Sequence, residues 1–384
     1  MTYLSAEGCQ ARRTRLWAAL EAQPDWILIC EPQHQMYLAS YFQHPFVFNC
    51  VNAAAVLILG RQGQSILVAD NLVQGFAQQA HVDEVVTPVW YDGQTTAPHR
   101  RPRLMQSALE RLKACPGRTI GLDASATPAG VVEGLRSARG GIELIDVDPV
   151  LHRLKRSKAP DEVALIRRAI QAGEAGQAAG LRDIRPGMTE FDAYLVVQQA
   201  ALRAAGDRAL VYGDFVSGPR CEEEMGGPPT QRVINAGDLV LLDFSVVLGG
   251  YRGDFCNTFA CGGGPTAGQR RLHAACLEAL AAAEALLAPG RPAREIDAAV
   301  RASFAAKGLA ETFVTHTGHG LGLGHPDAPY LVPDSQDTLV AGDVIAIEPG
   351  QYVKGTGGMR YERNYLITES GYETLSHHEL RIEQ

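Results

Sequence analysis

Two carboxylates, Asp243 and Asp254, stand 11 positions apart with Gly249-Gly250 between them. The flanks, Leu239–Asp243 and Tyr251–Phe259, read as strands, and a Gly pair between two strands predicts a hairpin. Each acid then lies at the edge of a short apolar run. Such a hairpin brings both carboxylates to one side of a sheet. Like charges held close repel, and a divalent cation keeps both ionised. Taken alone, the pair reads equally well as two unrelated acids, one at a strand end and one on a surface strand. The rest of the chain has to decide.

The chain has 384 residues, enough for two or three domains. With 46% hydrophobic residues and a mean hydropathy of -0.08, it reads as a globular protein with a real core. The net charge of -8 gives no support to nucleic-acid binding. No basic-then-apolar leader opens the sequence, and no run approaches a membrane span. The cysteines, at positions 9, 30, 50, 115, 221, 256, 261 and 276, form no Cys-x-x-Cys pair. That pattern predicts a reduced, cytoplasmic setting.

Over the first 150 residues or so, strand-like and helix-like stretches alternate, predicting a small α/β domain. Helices are expected over 12–20, 104–112 and 127–135. Strands are expected at 26–30, 53–59, 65–69, 85–91, 119–122 and 142–147. Met36–Tyr41, followed by His44-Pro45-Phe46, reads as aromatic and turn-prone. The patch Tyr37, Tyr41, Phe42 and Phe46 suits core packing better than a ligand pocket. No Gly-rich phosphate loop follows any strand, so this half reads as scaffold or specificity wall.

The boundary falls at 153/154, giving domains 1–153 and 154–384. Pro160 opens a helix with Asp161 and Glu162 in its first turn, and Thr189 caps the next. A strand over 211–217 and a loop over 219–230 follow. Helices at 267–288 and 293–307 lead to a Gly/His segment, 315–327. One internal echo appears. Gly237-Asp238 leads through four apolar residues to Asp243, and Gly342-Asp343 leads through four apolar residues to Glu348. This predicts two similar half-units, each presenting a carboxylate to a shared centre.

The candidate inner shell is Asp243, Asp254, His319, Glu348 and Glu362. Four carboxylates and one imidazole are too acidic to sit together without cations. Oxygen-rich ligation with one nitrogen suits Mn²⁺, Fe²⁺, Co²⁺ or Zn²⁺. Bridging carboxylates let five residues hold two ions, and such a pair activates water for hydrolysis of an unreactive bond. Gly318, Gly320, Gly322 and Gly324 around His319 leave room for a substrate or strand to approach closely.

The second half resembles the catalytic domain of the methionine aminopeptidase, prolidase, aminopeptidase P and creatinase superfamily (peptidase M24, the pita-bread fold). The resemblance rests on Gly237-Asp-Leu-Val-Leu-Leu-Asp243, Gly250-Tyr-Arg-Gly-Asp254, Gly318-His-Gly-Leu-Gly322, Ile347-Glu-Pro-Gly350 and Met359-Arg-Tyr-Glu362. Spacings of 11, 65, 29 and 14 residues between successive ligands fit the prolidase branch. The resemblance implies an α+β chain, with a creatinase-like N-terminal domain before a pita-bread catalytic domain of pseudo-two-fold halves. It implies two divalent metal ions, Mn²⁺ first among Mn, Co, Zn and Fe, and a homodimer. It gives Glu348 a second role as proton shuttle and sets Arg360 to support the Glu362 end.

The chain also departs from the pattern. Met225-Gly-Gly-Pro228 stands where relatives carry an early substrate-contacting His, and Asn257 where an Arg is common. His316 and His325 are each displaced by one position from the usual substrate-side histidines. If they reach the same space, they serve as hydrogen-bond donors in catalysis. Tyr37, Tyr41 and Tyr330 are further candidates for shaping the site. The resulting expectation is a metallohydrolase of Xaa-Pro peptidase type, cleaving dipeptides or short peptides by metal-activated water. Alternatives are hydrolysis or lysis of a small metabolite (creatine-like, ectoine-like or an osmolyte) and a non-catalytic binding module. Neither nucleic acid nor membrane is an expected partner.

Overall fold

A computed structural model describes residues 3–42, 55–138 and 140–384. The chain divides into two compact units, Met1–Lys155 and Arg156–Gln384.

The first unit contains α1 (Ala6–Ala19), β1 (Trp26–Ile29), α2 (Pro32–Ala39), β2 (Ala55–Gly60), β3 (Ser65–Ala69) and α3 (Gln74–Ala77). It continues through β4 (Glu84–Val86), α4 (Arg100–Lys113), β5 (Thr119–Leu122), α5 (Ala129–Ala138), β6 (Glu143–Asp146) and α6 (Asp148–Arg156). Its sheet has the order β4-β3-β2-β1-β5-β6. β1, β5 and β6 run parallel, while β2 is antiparallel to both β1 and β3. Unbroken apolar runs such as Trp26–Ile29 are buried on both faces, as sheets covered by helices require. Leu28, Val56, Ile58 and Val68 meet Leu104, Ala108, Leu112 and Leu135 of α4 and α5 in one core.

Two local expectations change here. Met36–Tyr41 is not a turn: α2 runs to Ala39, opened by Pro32, capped by the Glu31 side chain and stopped by Ser40 in the left-handed region. The strand expected at 85–91 is only three residues long, and Pro88 lies outside it. Tyr37 and Tyr41 are buried in this unit, while Phe46 and its neighbours 43–54 lie outside the described residues.

The second unit begins with α7 (Pro160–Asp183), α8 (Glu190–Ala205), β7 (Ala209–Ser217), α9 (Pro219–Glu223), β8 (Leu239–Leu248) and β9 (Tyr251–Ala260). Then come α10 (Ala267–Glu284), α11 (Ala293–Ala305), β10 (Gly318–Gly320), β11 (Asp327–Leu331) and β12 (Val344–Ile347). It ends with β13 (Gly350–Val353), β14 (Gly357–Arg360), β15 (Arg363–Ile367) and β16 (Tyr372–Thr374). The loop expected over 219–230 opens with α9, whose first turn Pro219 favours. Thr189 caps α8 through a reciprocal bond with Asp192.

Sheets β7-β8-β9 and β11-β10-β12-β15-β16 carry the two halves, with β13-β14 as a separate ribbon. A helix pair precedes each sheet, α7–α8 for the first and α10–α11 for the second. The sequence echo is also a structural one. Asp238 accepts from the Asn235 amide at 2.8 Å, and Asp343 accepts from the Val340 amide at 2.8 Å. The same side-chain turn therefore launches β8 and β12.

His378 is a buried titratable group. Burial first, then the Arg363 charge, lower its pKa to about 4. The unfolded chain binds a proton near pH 6.5, so this contribution to stability is complete above that value and is lost as pH falls toward 4. The full loss is about 3 kcal/mol. Denaturant melts of the chelated protein between pH 7.5 and 4.5 test this. His378→Gln should lose less stability than the parent across that window, and parallel curves would contradict the assignment.

Candidate metal centre

β8 and β9 pair along their full length, with Asp243 opposite Cys256 and Ser245 opposite Asp254. Side chains alternate along a strand, so residues 243 and 245 share a face, and Asp243 and Asp254 sit diagonally on it. Leu248 pairs with Tyr251 across Gly249 and Gly250, whose φ values are 57° and 85°. A two-residue turn with both φ positive needs this Gly pair. The acids themselves lie within ten-residue strands rather than at the edges of short ones. Phe244–Leu248 continues the buried strand past Asp243, the one half-buried position in it.

His319 comes from the other sheet. β10 lies between β11 and β12, with His319 opposite Tyr330 and Ala346. The flanking glycines serve these neighbours. A Cβ on Gly318 would lie 2.1 Å from the Ala346 carbonyl oxygen, and one on Gly320 would lie 2.2 Å from that of Ala328. Glu348 directly follows β12, and Glu362 lies between β14 and β15.

These side chains converge. Potential ligand atoms of Asp243, Asp254 and Glu362 lie within 4.8 Å of one another. The same holds for Asp254, His319 and His325, and for His316, His319 and Glu348. Asp254 and His319 link the three groups into one cluster that contains all five expected ligands. Both displaced histidines join it. His325 Nε2 is 2.7 Å from Asp254 Oδ2, and His316 Nε2 is 2.9 Å from Glu348 Oε1. Tyr330 pairs with His319 along the backbone, but its side chain is exposed.

Arg360 sits elsewhere than expected. Its guanidinium meets Asp243 Oδ2 at 2.5 Å, Asp214 Oδ2 at 3.3 Å and the Tyr352 hydroxyl oxygen at 3.0 Å. Its direct bonds therefore go to the Asp243 end, and it acts on Glu362 only through its charge. Arg360 is the last residue of β14, and its side chain leaves the strand toward β8 rather than toward its own carboxyl-side neighbours.

Crowding governs the charges. Burial, relieved in part by Arg360 and aggravated by Asp254 and Glu348, pushes the Asp243 carboxyl up to about 7. Glu362 is driven well above the usual carboxylate range by burial and by the three neighbouring carboxylates. Burial also opposes charge on Asp254 and Glu348, but histidine hydrogen bonds win and hold both below the usual range. Burial lowers the His319 pKa, and the bond to Glu348 more than reverses this, raising it to about 9. His319 Nδ1 donates to the Gly320 carbonyl at 3.0 Å, which leaves Nε2 facing Glu348 at 3.2 Å and Asp254 at 3.9 Å. That is how a second partner fixes the tautomer of a ligating histidine.

The donor set fits a divalent pair. Glu362 is 1% exposed, and among the described residues its Oε1 has no hydrogen-bond partner. A buried carboxylate oxygen facing no donor is costly unless a cation or proton meets it. Four carboxylates and one imidazole offer hard, oxygen-rich ligation. Cys256, opposite Asp243, does not alter this, because burial holds its thiol well above its ordinary pKa.

Sequence reasoning missed the residues that hold the ligands in place. Ser245 Oγ donates to Asp254 Oδ1 at 2.9 Å, and Asn364 Oδ1 accepts from the Asp254 amide at 3.0 Å. Asn364 is fully buried near the start of β15. Ser245 and Asp214 became visible only with the strand register.

Two family descriptions cover most of the chain. "Creatinase/Prolidase N-terminal domain" matches residues 12–156 and "Metallopeptidase family M24" matches residues 164–369. The chain belongs to metallopeptidase family M24. It has that family's two-part organisation, a creatinase-type N-terminal domain followed by the pita-bread domain. Among this M24 chain's relatives is an uncharacterized peptidase of Staphylococcus aureus strain USA300, 31% identical over 239 residues. That match takes in 61% of this chain and 66% of the relative, just under two-thirds of its length. The uncharacterized peptidase YqhT of Bacillus subtilis is 28% identical over 274 residues, 71% of this chain and 77% of that one. Among solved structures, the Xaa-Pro dipeptidase from Bacillus anthracis superposes with a TM-score of 0.82 at 25% identity, covering 98% of this chain and 100% of the other. The X-Pro aminopeptidase from Thermotoga maritima gives 0.80 at 21% identity, covering 94% and 97%.

A cluster that shares protons among crowded carboxylates and His319 must release them when cations bind. Mn²⁺ titrated into chelator-stripped protein at pH 7 should therefore release protons, and its affinity should rise with pH. Calorimetry in two buffers of different ionisation enthalpy checks this. Identical heats in both buffers would contradict it.

Proposed function

We propose that this chain is a metal-dependent hydrolase of Xaa-Pro peptidase type, acting on dipeptides or short peptides. The observation that carries this reading is the convergence of Asp243, Asp254, His319, Glu348 and Glu362 in one linked cluster that His316 and His325 also join. The five residues would hold two divalent ions. When bound, such ions offset the carboxylate charge and supply Lewis acidity toward water and a scissile carbonyl.

The side chains have distinct proposed roles. The His316 and His325 side chains are 44% and 31% exposed, so they stand between the ligands and solvent. They are suited to hydrogen-bond a substrate carbonyl or leaving group. Glu348 touches both His316 and His319, a position suited to passing a proton. Arg360 is a positioning residue that fixes Asp243. The approach of both displaced histidines favours peptide chemistry over the small-metabolite reading.

Mn²⁺ comes first among Mn, Co, Zn and Fe, a choice resting on the oxygen-rich donor set. A cytoplasmic homodimer is part of the same reading. The cytoplasmic element rests on the described cysteines, all of which are free. The dimer rests on the family resemblance alone.

A panel of Gly-Pro, Ala-Pro and longer Xaa-Pro peptides, run with Mn²⁺ and with Co²⁺, tests the substrate class. Turnover that disappears on chelation and returns with the ion is expected. Two bound ions without turnover would favour the small-metabolite alternative. Asp254→Ala should lose one ion and nearly all activity. His316→Ala and His325→Ala should keep their ions yet lose about 10²-fold or more in kcat. Unchanged kcat in both histidine variants would remove them from the reaction.

A further inference from the structure

The N-terminal unit carries a second cluster of ligand-type side chains. β1, β5 and β6 are adjacent parallel strands, and one polar residue follows each: His34 in α2, Asp123 just past β5, and Asp148 at the start of α6. Carboxyl ends of parallel strands are where α/β sheets place their ligands. Asp148 and His152 are four residues apart on α6, so they lie on one helix face. Ligand atoms of His34, Asp148 and His152 all fall within 4.8 Å of one another.

Burial makes this cluster unusual. His34 is 1% exposed, yet among the described residues neither ring nitrogen has a hydrogen-bond partner. Its Nδ1 lies 3.8 Å from both Asp148 Oδ1 and Asp123 Oδ2, beyond hydrogen-bond reach. The two aspartates differ. Asp123 is committed, accepting the Cys30 and Glu31 amides through Oδ2 and the Thr127 hydroxyl through Oδ1. Asp148 accepts the Ser125 amide through Oδ2, while its buried Oδ1 has no partner. Three potential ligand atoms thus face one space from two helices. Ligands about 2.1 Å from one tetrahedral ion stand roughly 3.4 Å apart. His152 closes the set on its exposed side.

We propose that His34, Asp148 and His152 form a separate mononuclear site for a divalent cation of the Zn²⁺ class. Two imidazoles and one carboxylate suit such an ion, with water as fourth ligand. The ion ties α2 to α6 across the strand ends and meets Asp148 Oδ1 and a His34 ring nitrogen, atoms without a hydrogen-bond partner among the described residues.

The test must separate this site from the M24 centre. Full-length protein dialysed against Zn²⁺ is assayed for bound metal by mass spectrometry, alongside His152→Ala, His34→Gln and Glu362→Gln. His152→Ala changes an exposed side chain and should bind one equivalent less than the parent. It should do so again when combined with Glu362→Gln. Zn²⁺ should also raise the Tm of the Glu362→Gln variant, and His152→Ala should reduce that shift. Equal Zn²⁺ content with and without His152, in both backgrounds, would overturn the proposal, whatever happens at the M24 centre.

Discussion

Repulsion among buried carboxylates is the constraint on which the second unit depends. Asp243, Asp254, Glu348 and Glu362 are drawn into one cluster from two sheets. No arrangement of hydrogen bonds in the fold relieves all four. Arg360 attends to Asp243, and the histidines attend to Asp254 and Glu348. Glu362 is left with an unpartnered oxygen. A charge imbalance of this kind is expensive in a folded chain unless a cation offsets it. The cluster therefore has the donor composition of a cation-binding shell.

Two half-units of similar construction build that shell. Each half begins with a helix pair, passes through a Gly-Asp turn closed by its aspartate, and enters a buried strand. The halves are not copies. In the first, two long paired strands hold two aspartates diagonally on one face. In the second, His319 is gripped between short strands, and Glu348 extends from the end of one of them. The glycines around His319 answer to the tight approach of β11 and β12.

The family, the order of domains and the five candidate ligands were legible because short motifs fix them locally. Gly249-Gly250 fixes a turn, and a turn fixes which residues pair. The hairpin was therefore foreseen, although its strands ran further than the apolar runs suggested. Arg360 was misplaced for a physical reason. The family resemblance tied it to Glu362, whereas a long side chain at the end of β14 reaches a partner 117 positions away. Ser245 and Asn364 were missed because their role comes from register and inter-sheet contact, which no local pattern encodes. The turn expected at Met36–Tyr41 failed because the caps of α2 outweighed its aromatic composition.

The central claim is that these residues form a dinuclear cation site. Anomalous diffraction at the manganese edge from crystals grown with Mn²⁺ addresses it directly. The account predicts two peaks about 3.5–4 Å apart, lying among Asp243, Asp254, His319, Glu348 and Glu362. No peak in that cluster, at Mn²⁺ concentrations that support turnover, would contradict it.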